Sequence, residues 1–285
     1  MVKVPVAIAV LRAVESGRLT LETPVTVRAS DYVDGAGSTN HATVGAQRTV
    51  RALIDQMIIH SDNTASDMLI DLVGLKAVNE VVQSLVPEGI GRITTLGDVR
   101  RQVYGQLTPA ASRLSGVELL AIHRERGRAG VAIPHAAGGR LHGLLRQRRQ
   151  QRPARCLRRA AGAAGGRPRP GPPDDGLPAA GHGRTATGTR RIKAGLPPDA
   201  RFAHKTGTQR RRICDAGLIT TPRRSDAAPV LVVACVRGDL SLERSESALQ
   251  QVGAALCRSG LLTRGVPNAP TCPAAVPAAA PAAAR

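Results

Sequence analysis

Two hundred and eighty-five residues suffice for one large core or two modest ones, and no apolar run approaches the roughly 18 residues of a membrane span, which excludes a helical transmembrane protein. Forty Lys+Arg against twenty-one Asp+Glu give a net charge of +19 and invite a polyanion partner. Two tyrosines, one phenylalanine and no tryptophan, however, leave no stacking platform for single-stranded nucleic acid.

From Met1 to about Val14, Val6, Val10, Leu11 and Val14 recur at helical spacing, and Pro5 is tolerated in a first turn, so a buried helix is expected. Leu19 to Gln47 is rich in Thr, Val, Ser, Gly and Asp and reads as extended pieces and turns, with Asp34-Gly35 the clearest turn. Val50 to Ile59 reads as a helix. A second follows Ser61-Asp62-Asn63, with Met68, Leu69 and Leu72 inward and Gly74 as its stop. Leu75, Val78, Val82 and Leu85 mark a third, and Leu114 to Arg124 a fourth.

Residues 121–190 depart from this pattern. They hold fifteen Arg, no Lys and three acids (Glu125, Asp174 and Asp175), so most of the positive charge sits here. Arg, Gly, Ala and Pro, the residues with codons made only of G and C, dominate the window. Two origins fit: a GC-rich gene read out of frame, or a disordered basic linker that cannot bury enough apolar surface to offset chain entropy.

Ordinary composition returns near Thr189. Phe202 to Thr208 and Ile213 to Thr221 read as strands, and the β-branched run Val230 to Val236 as a strand buried on both faces. A last helix spans Leu242 to Ser259, with Leu249, Val252 and Leu256 on one face. The organisation read from this is a catalytic domain over residues 1–266 and an Ala/Pro-rich tail without periodicity over 267–285. The five cysteines are widely spaced and odd in number, with no C-x-x-C pair, so neither zinc nor a disulfide framework is indicated. His123, His135, His142 and His182 are too scattered for a metal site.

Three short elements carry chemistry: Met1-Val2-Lys3 heading a helix, Ser61-Asp62-Asn63 preceding one, and Lys205-Thr206-Gly207 on a strand, followed by Thr208. In this order they resemble the serine β-lactamase and penicillin-binding-protein superfamily, most closely class A β-lactamases, with their S-x-x-K, S-D-N and K-T-G motifs. The resemblance covers residues 1–120 and 189–262. It implies an α/β (α+β) fold, an antiparallel sheet flanked by helices plus an all-helical subdomain, with the site at their junction. It also implies acyl transfer from a small-molecule β-lactam or related amide to serine, followed by hydrolysis, in a periplasmic or secreted protein with no metal or organic cofactor. No signal peptide is legible in this chain.

The chemistry of the residues agrees. An amine held beside a hydroxyl can accept its proton. Lys3 would serve as that amine, Ser61 would relay the proton toward the leaving nitrogen, and Asn63 would hydrogen-bond the substrate or the lysine. Lys205 would attract a substrate carboxylate, while the strand carrying Thr206, Gly207 and Thr208 pairs with substrate and offers an oxyanion-hole N–H. Plainer roles compete: a solvated first-turn lysine, a helix cap at Ser61 or Asp62, a strand-edge charge at Lys205. His204 is expected to pack or hydrogen-bond rather than act as a base.

Two departures stand out. Met1 and Val2 occupy the two variable positions of S-x-x-K, which puts the matching serine directly before Met1 and implies a truncated start that lacks the nucleophile and the N-terminal strands. Nor does any glutamate lie between Glu88 and Glu118, where class A enzymes carry the E-x-x-L-N deacylating residue; Asp98 is the acid in the matching stretch. An inactive truncated product and a D-Ala-D-Ala peptidase or amidase therefore stay open beside the β-lactamase reading.

Overall fold

A computed structural model describes residues 2–88, 90–106, 109–128, 183–209, 211–222, 228–238, 241–263, 265, 267 and 272–273. The chain divides into two compact units, Val2–Ala160 and, with Met1, Ala161–Arg285.

The first unit is mainly helical: α1 (Lys3–Glu15), β1 (Pro24–Thr26), β2 (Gln47–Thr49), α2 (Val50–Ile59), α3 (Asn63–Val73), α4 (Leu75–Leu85), α5 (Leu96–Gly105) and α6 (Gly116–Arg128). α1 packs on α2, α3 and α4. Val6 and Val10 are fully buried with Leu53, Ile54, Met57, Ile58, Leu69 and Val78, so the apolar spacing read from the sequence does build this core. Thr49 caps α2 by accepting from the Ala52 N–H, Asp62 caps α3 by accepting from Ala65, and Gly74 ends α3 at φ 82°. The stretch 19–47 resolves into β1, a 3-10 turn at Thr39–His41 and the start of β2, which pairs antiparallel with β1 at Val25↔Arg48.

α5 was not anticipated. Gly97 is its one fully buried residue; Leu96, Val99 and Val103 do fall at helical spacing, but the stripe is short and only half-buried. Its start does carry a signal: Thr95 accepts from the Asp98 N–H, the cap of a T-x-x-D sequence.

The second unit holds an antiparallel sheet in the order β3 (Arg201–Gln209), β4 (Arg212–Thr220), β5 (Val230–Arg237), with α7 (Leu242–Arg258). Phe202, Ile219, Val232 and Leu249 share its core with Ile192, Leu196 and Leu262. α7 crosses the 3-10 turn Ile192–Gly195 at two glycines. A Cβ on Gly253 would stand 2.2 Å from the Ile192 carbonyl oxygen, and one on Gly195 2.0 Å from that of Gln250.

Four expectations need correction or restriction. The reading that cysteines form no disulfides fails: Cys214 bonds Cys235 and Cys257 bonds Cys272. Cys214 and Cys235 lie 21 apart in sequence yet face each other across the β4–β5 register, a proximity that only the strand pairing creates. β5 is not buried on both faces; Val232 is its one buried residue and Cys235 is exposed. The window 121–190 lies outside the described residues over 129–182, but its first residues continue α6 and 183–190 run beside β3. The tail reading likewise lies outside them, apart from residues 267, 272 and 273.

Candidate functional site

In the helical unit, packing of α1 on α3 carries Lys3 to the Ser61-Asp62-Asn63 segment. Lys3 is 5% exposed, so it is not a solvated first-turn lysine. Its Nζ donates to the Asn63 Oδ1 at 2.8 Å, the Asp62 carbonyl at 3.0 Å and the Ser61 carbonyl, and lies 3.3 Å from the Ser61 hydroxyl. A buried ammonium is tolerable only with such a cage of oxygens. Ser61 takes a left-handed backbone at φ 61°, unusual for a residue with a Cβ.

The Asp34-Gly35 turn braces this segment from the other side. The Asn63 Nδ2 donates to the Asp34 carbonyl at 2.7 Å, fixing which way the amide points. Asp62 is fully buried; besides capping α3 it accepts from the Thr39 N–H at 2.8 Å. Gly35 and Gly37, at φ 139° and 99°, let the loop approach so closely that Cβ atoms there would collide with Asn63 and Asp62. The Asp34 carboxylate in turn takes the Arg100 guanidinium from α5, with the His123 Nδ1 at 3.8 Å.

Two carboxylates in this unit differ sharply. Asp98 is exposed and paired with Arg101 at 3.0 Å on the surface of α5. Asp67, one turn after Asn63 on α3, is buried and accepts from the Leu96 and Gly97 N–H groups at 2.8 and 2.6 Å. Burial pushes its carboxyl up to about 6 despite those two donors.

In the sheet unit, Lys205, Thr206, Gly207 and Thr208 follow one another along β3, which pairs through Thr206↔Asp215 and Gly207↔Cys214. Lys205 is 2% exposed rather than a solvated strand-edge charge. Its Nζ reaches the Thr206 carbonyl at 3.2 Å. Desolvation lowers the Lys205 ammonium to about 8; Asp215 opposes that fall and Arg191 adds to it. His204, as expected, is structural: it stacks on Phe202 with ring centroids 4.4 Å apart, and its Nδ1 lies 2.7 Å from Asp215 Oδ1, both residues fully buried.

Sequence reasoning missed the partners of this strand. Arg191 is buried and donates to the Thr208 hydroxyl at 2.8 Å and the Cys214 carbonyl at 3.1 Å, with Glu246 of α7 as counter-ion at 3.3 Å. The Thr187 and Thr206 hydroxyls share a hydrogen bond at 2.6 Å, and Thr185 donates to the His204 carbonyl. These residues lie at the edge of the Arg-rich window, where nothing local separates one arginine from the next.

The structure thus brings Lys3, Ser61 and Asn63 together in one unit and sets Lys205 to Thr208 in line on one strand of the other. Among solved structures, the chain is similar to a β-lactamase from Sphaerobacter thermophilus, at 25% identity over 92% of this chain and 82% of that chain, TM-score 0.62. A mutant of the last common ancestor of Gram-negative bacteria class A β-lactamase is similar at 22% identity over 90% and 81%, TM-score 0.63. A mutant of PBP-A, solved as an acyl-enzyme complex with penicillin-G, is similar at 21% over 88% and 76%, TM-score 0.56. No curated protein matches. Residues 1–149 and 183–259 match the family model described as the Beta-lactamase enzyme family, and with its helical unit, antiparallel sheet and motif order, the chain belongs to that family.

Proposed function

We propose that the chain carries the machinery of a serine acyl-transfer hydrolase that opens β-lactams or related amides. The observation that carries this reading is the Lys3 ammonium, buried and hydrogen-bonded to Asn63 Oδ1 within reach of the Ser61 hydroxyl. An amine and a hydroxyl in contact can pass a proton between nucleophile and leaving nitrogen. Asn63, with its Nδ2 committed to the Asp34 carbonyl, keeps its oxygen on Lys3 and so fixes the amine. Lys205 supplies a cation for a substrate carboxylate, and Arg191 adds a second positive charge beside Thr208. By resemblance, the attacking serine of S-x-x-K lies three positions before the lysine that Lys3 matches.

Two disulfides favour an oxidising compartment, in keeping with a periplasmic or secreted protein. The peptidase or amidase alternative draws support from Asp98: an exposed, ion-paired carboxylate is a poor substitute for a deacylating glutamate, so slow turnover of the acyl-enzyme is expected. The test is ring opening of a chromogenic cephalosporin by this chain and by one carrying a serine directly before Met1. Activity that falls at least about 100-fold in Asn63→Ala and Lys205→Ala supports the reading. Failure of both folded chains to react with the cephalosporin would sink it.

A further inference from the structure

We infer that His204 and Asp215 are positioning residues for Lys205: His204 holds the Asp215 carboxylate inside the sheet unit as the counter-charge that keeps the Lys205 ammonium cationic for a substrate carboxylate. This deepens the acyl-transfer reading and rests on it for the nature of the substrate. Buried charge in the sheet unit divides into two pairs. Among its described residues, the buried charged side chains other than His204 are Arg191, Lys205, Asp215 and Glu246. Glu246 is committed to Arg191 at 3.3 Å and to Arg190 at 3.0 Å. Asp215 is then the buried carboxylate that remains to offset Lys205, and a buried cation needs such an offset. The Lys205 Nζ, 3.2 Å from the Thr206 carbonyl, lies against the residue that faces Asp215 across the β3–β4 pair. Burial drives the ammonium toward its neutral form, Arg191 pushes the same way, and Asp215 opposes both.

His204 fixes where that carboxylate sits. Its Nδ1 lies 2.7 Å from Asp215 Oδ1, diagonally across the strands, since His204 faces Gly217 and Asp215 faces Thr206. Gly217 makes room for the histidine: a Cβ there would stand 2.7 Å from the His204 Cβ. Phe202 stacks on the imidazole, and Thr185 donates to the His204 carbonyl at 2.7 Å. Packing alone does not account for the pair, because apolar residues of similar volume would fill the core without the desolvation penalty of a buried carboxylate. The second oxygen, Asp215 Oδ2, meets no donor among the described residues, which leaves its charge to act on Lys205.

NMR titration follows the Lys205 side chain in the chain as it stands, with Lys205→Met to assign the signal and circular dichroism to check folding. In Asp215→Asn, close in shape but uncharged, the Lys205 midpoint should fall by about one pH unit or more, the effect of losing a nearby opposite charge. His204→Phe keeps an aromatic ring and removes the hydrogen bond, and should lower the midpoint by a smaller amount; His204→Gln offers a donor again and should restore it. These two variants decide the matter where Asp215→Asn does not fold. A pair that only packs would lower the thermal midpoint and leave the Lys205 titration in place; that result, in folded Asp215→Asn or in His204→Phe, overturns the proposal. Binding of benzylpenicillin and of its methyl ester near pH 8 reads the consequence for substrate. Asp215→Asn should weaken the acid about fivefold, the fall in charged Lys205 that a one-unit shift produces, and leave the ester unchanged. Equal weakening of acid and ester also overturns the proposal. A parent chain that binds neither compound removes the β-lactam reading, while a lowered Lys205 midpoint in Asp215→Asn keeps the pair's role.

Discussion

Replacing Lys3 by methionine tests whether the amine is the keystone of the Ser61–Asn63 segment. Methionine fills much of the same volume, so the packing loss is small. The polar loss is not: the Ser61 and Asp62 carbonyls and the Asn63 Oδ1 all lose the same donor, and Lys3 is 5% exposed, so little water replaces it. Buried acceptors left unmade cost about 1–3 kcal/mol each. Relief from burying the ammonium offsets part of this, leaving a net destabilisation of about 3 kcal/mol. For a domain of this size, that lowers the thermal midpoint by roughly 6–12 °C. Circular dichroism at 222 nm, with urea unfolding as a second measure, reads the difference directly. A loss below about 1 kcal/mol would mean that the cage of oxygens does not hold this segment, and the reasoning fails.

Three further outcomes follow from the geometry. Lys205, lowered to about 8 from its ordinary 10.5, loses its proton in the folded chain before the unfolded one, so stability should rise with pH between about 8 and 10.5, by roughly 3 kcal/mol in all. Lys205→Met should flatten that rise, and NMR titration of the Nζ should show the charge falling about tenfold per pH unit above 8; a midpoint near 10.5 contradicts the burial argument. Asp67, raised to about 6, holds its proton longer folded than unfolded, so stability should fall by roughly 3 kcal/mol as pH climbs from about 4 to 6, a slope that Asp67→Asn removes. Finally, Gly37→Ala should cost more than about 2 kcal/mol, since its Cβ would sit 2.1 Å from the Asp62 carboxylate, whereas Gly45→Ala, at φ 90° with open space around it, should cost about 1 kcal/mol; equal losses would leave the loop contact without weight.

Much of the fold was legible because its elements bury apolar stripes with ordinary periods. α2 runs over the residues expected of it, α3 and α4 start and stop at Asn63, Gly74 and Leu85, and β3 and β4 differ from expectation only at their ends. α5 escaped because its apolar stripe, Leu96, Val99 and Val103, is short and only half-buried. The three motif segments were legible as strings, but what surrounds them was not. Asp34 reaches Asn63 across 29 positions and Arg191 reaches Thr208 across 17, contacts set by tertiary packing that no local pattern encodes. The Cys214–Cys235 bond was missed for the same reason, since strand register, not spacing, makes the two sulfurs neighbours.

β5 pairs with β4 alone among the described residues, and its run Val230-Leu231-Val232-Val233-Ala234-Cys235-Val236 contains neither charge nor proline. Among the described residues no strand covers the other edge of β5, and an uncovered edge of uncharged, β-branched-rich sequence is the kind that stacks into aggregates. Protein concentration therefore becomes a variable in every assay of this chain, and a lysine at Val233 is the change that should keep it monomeric in solution.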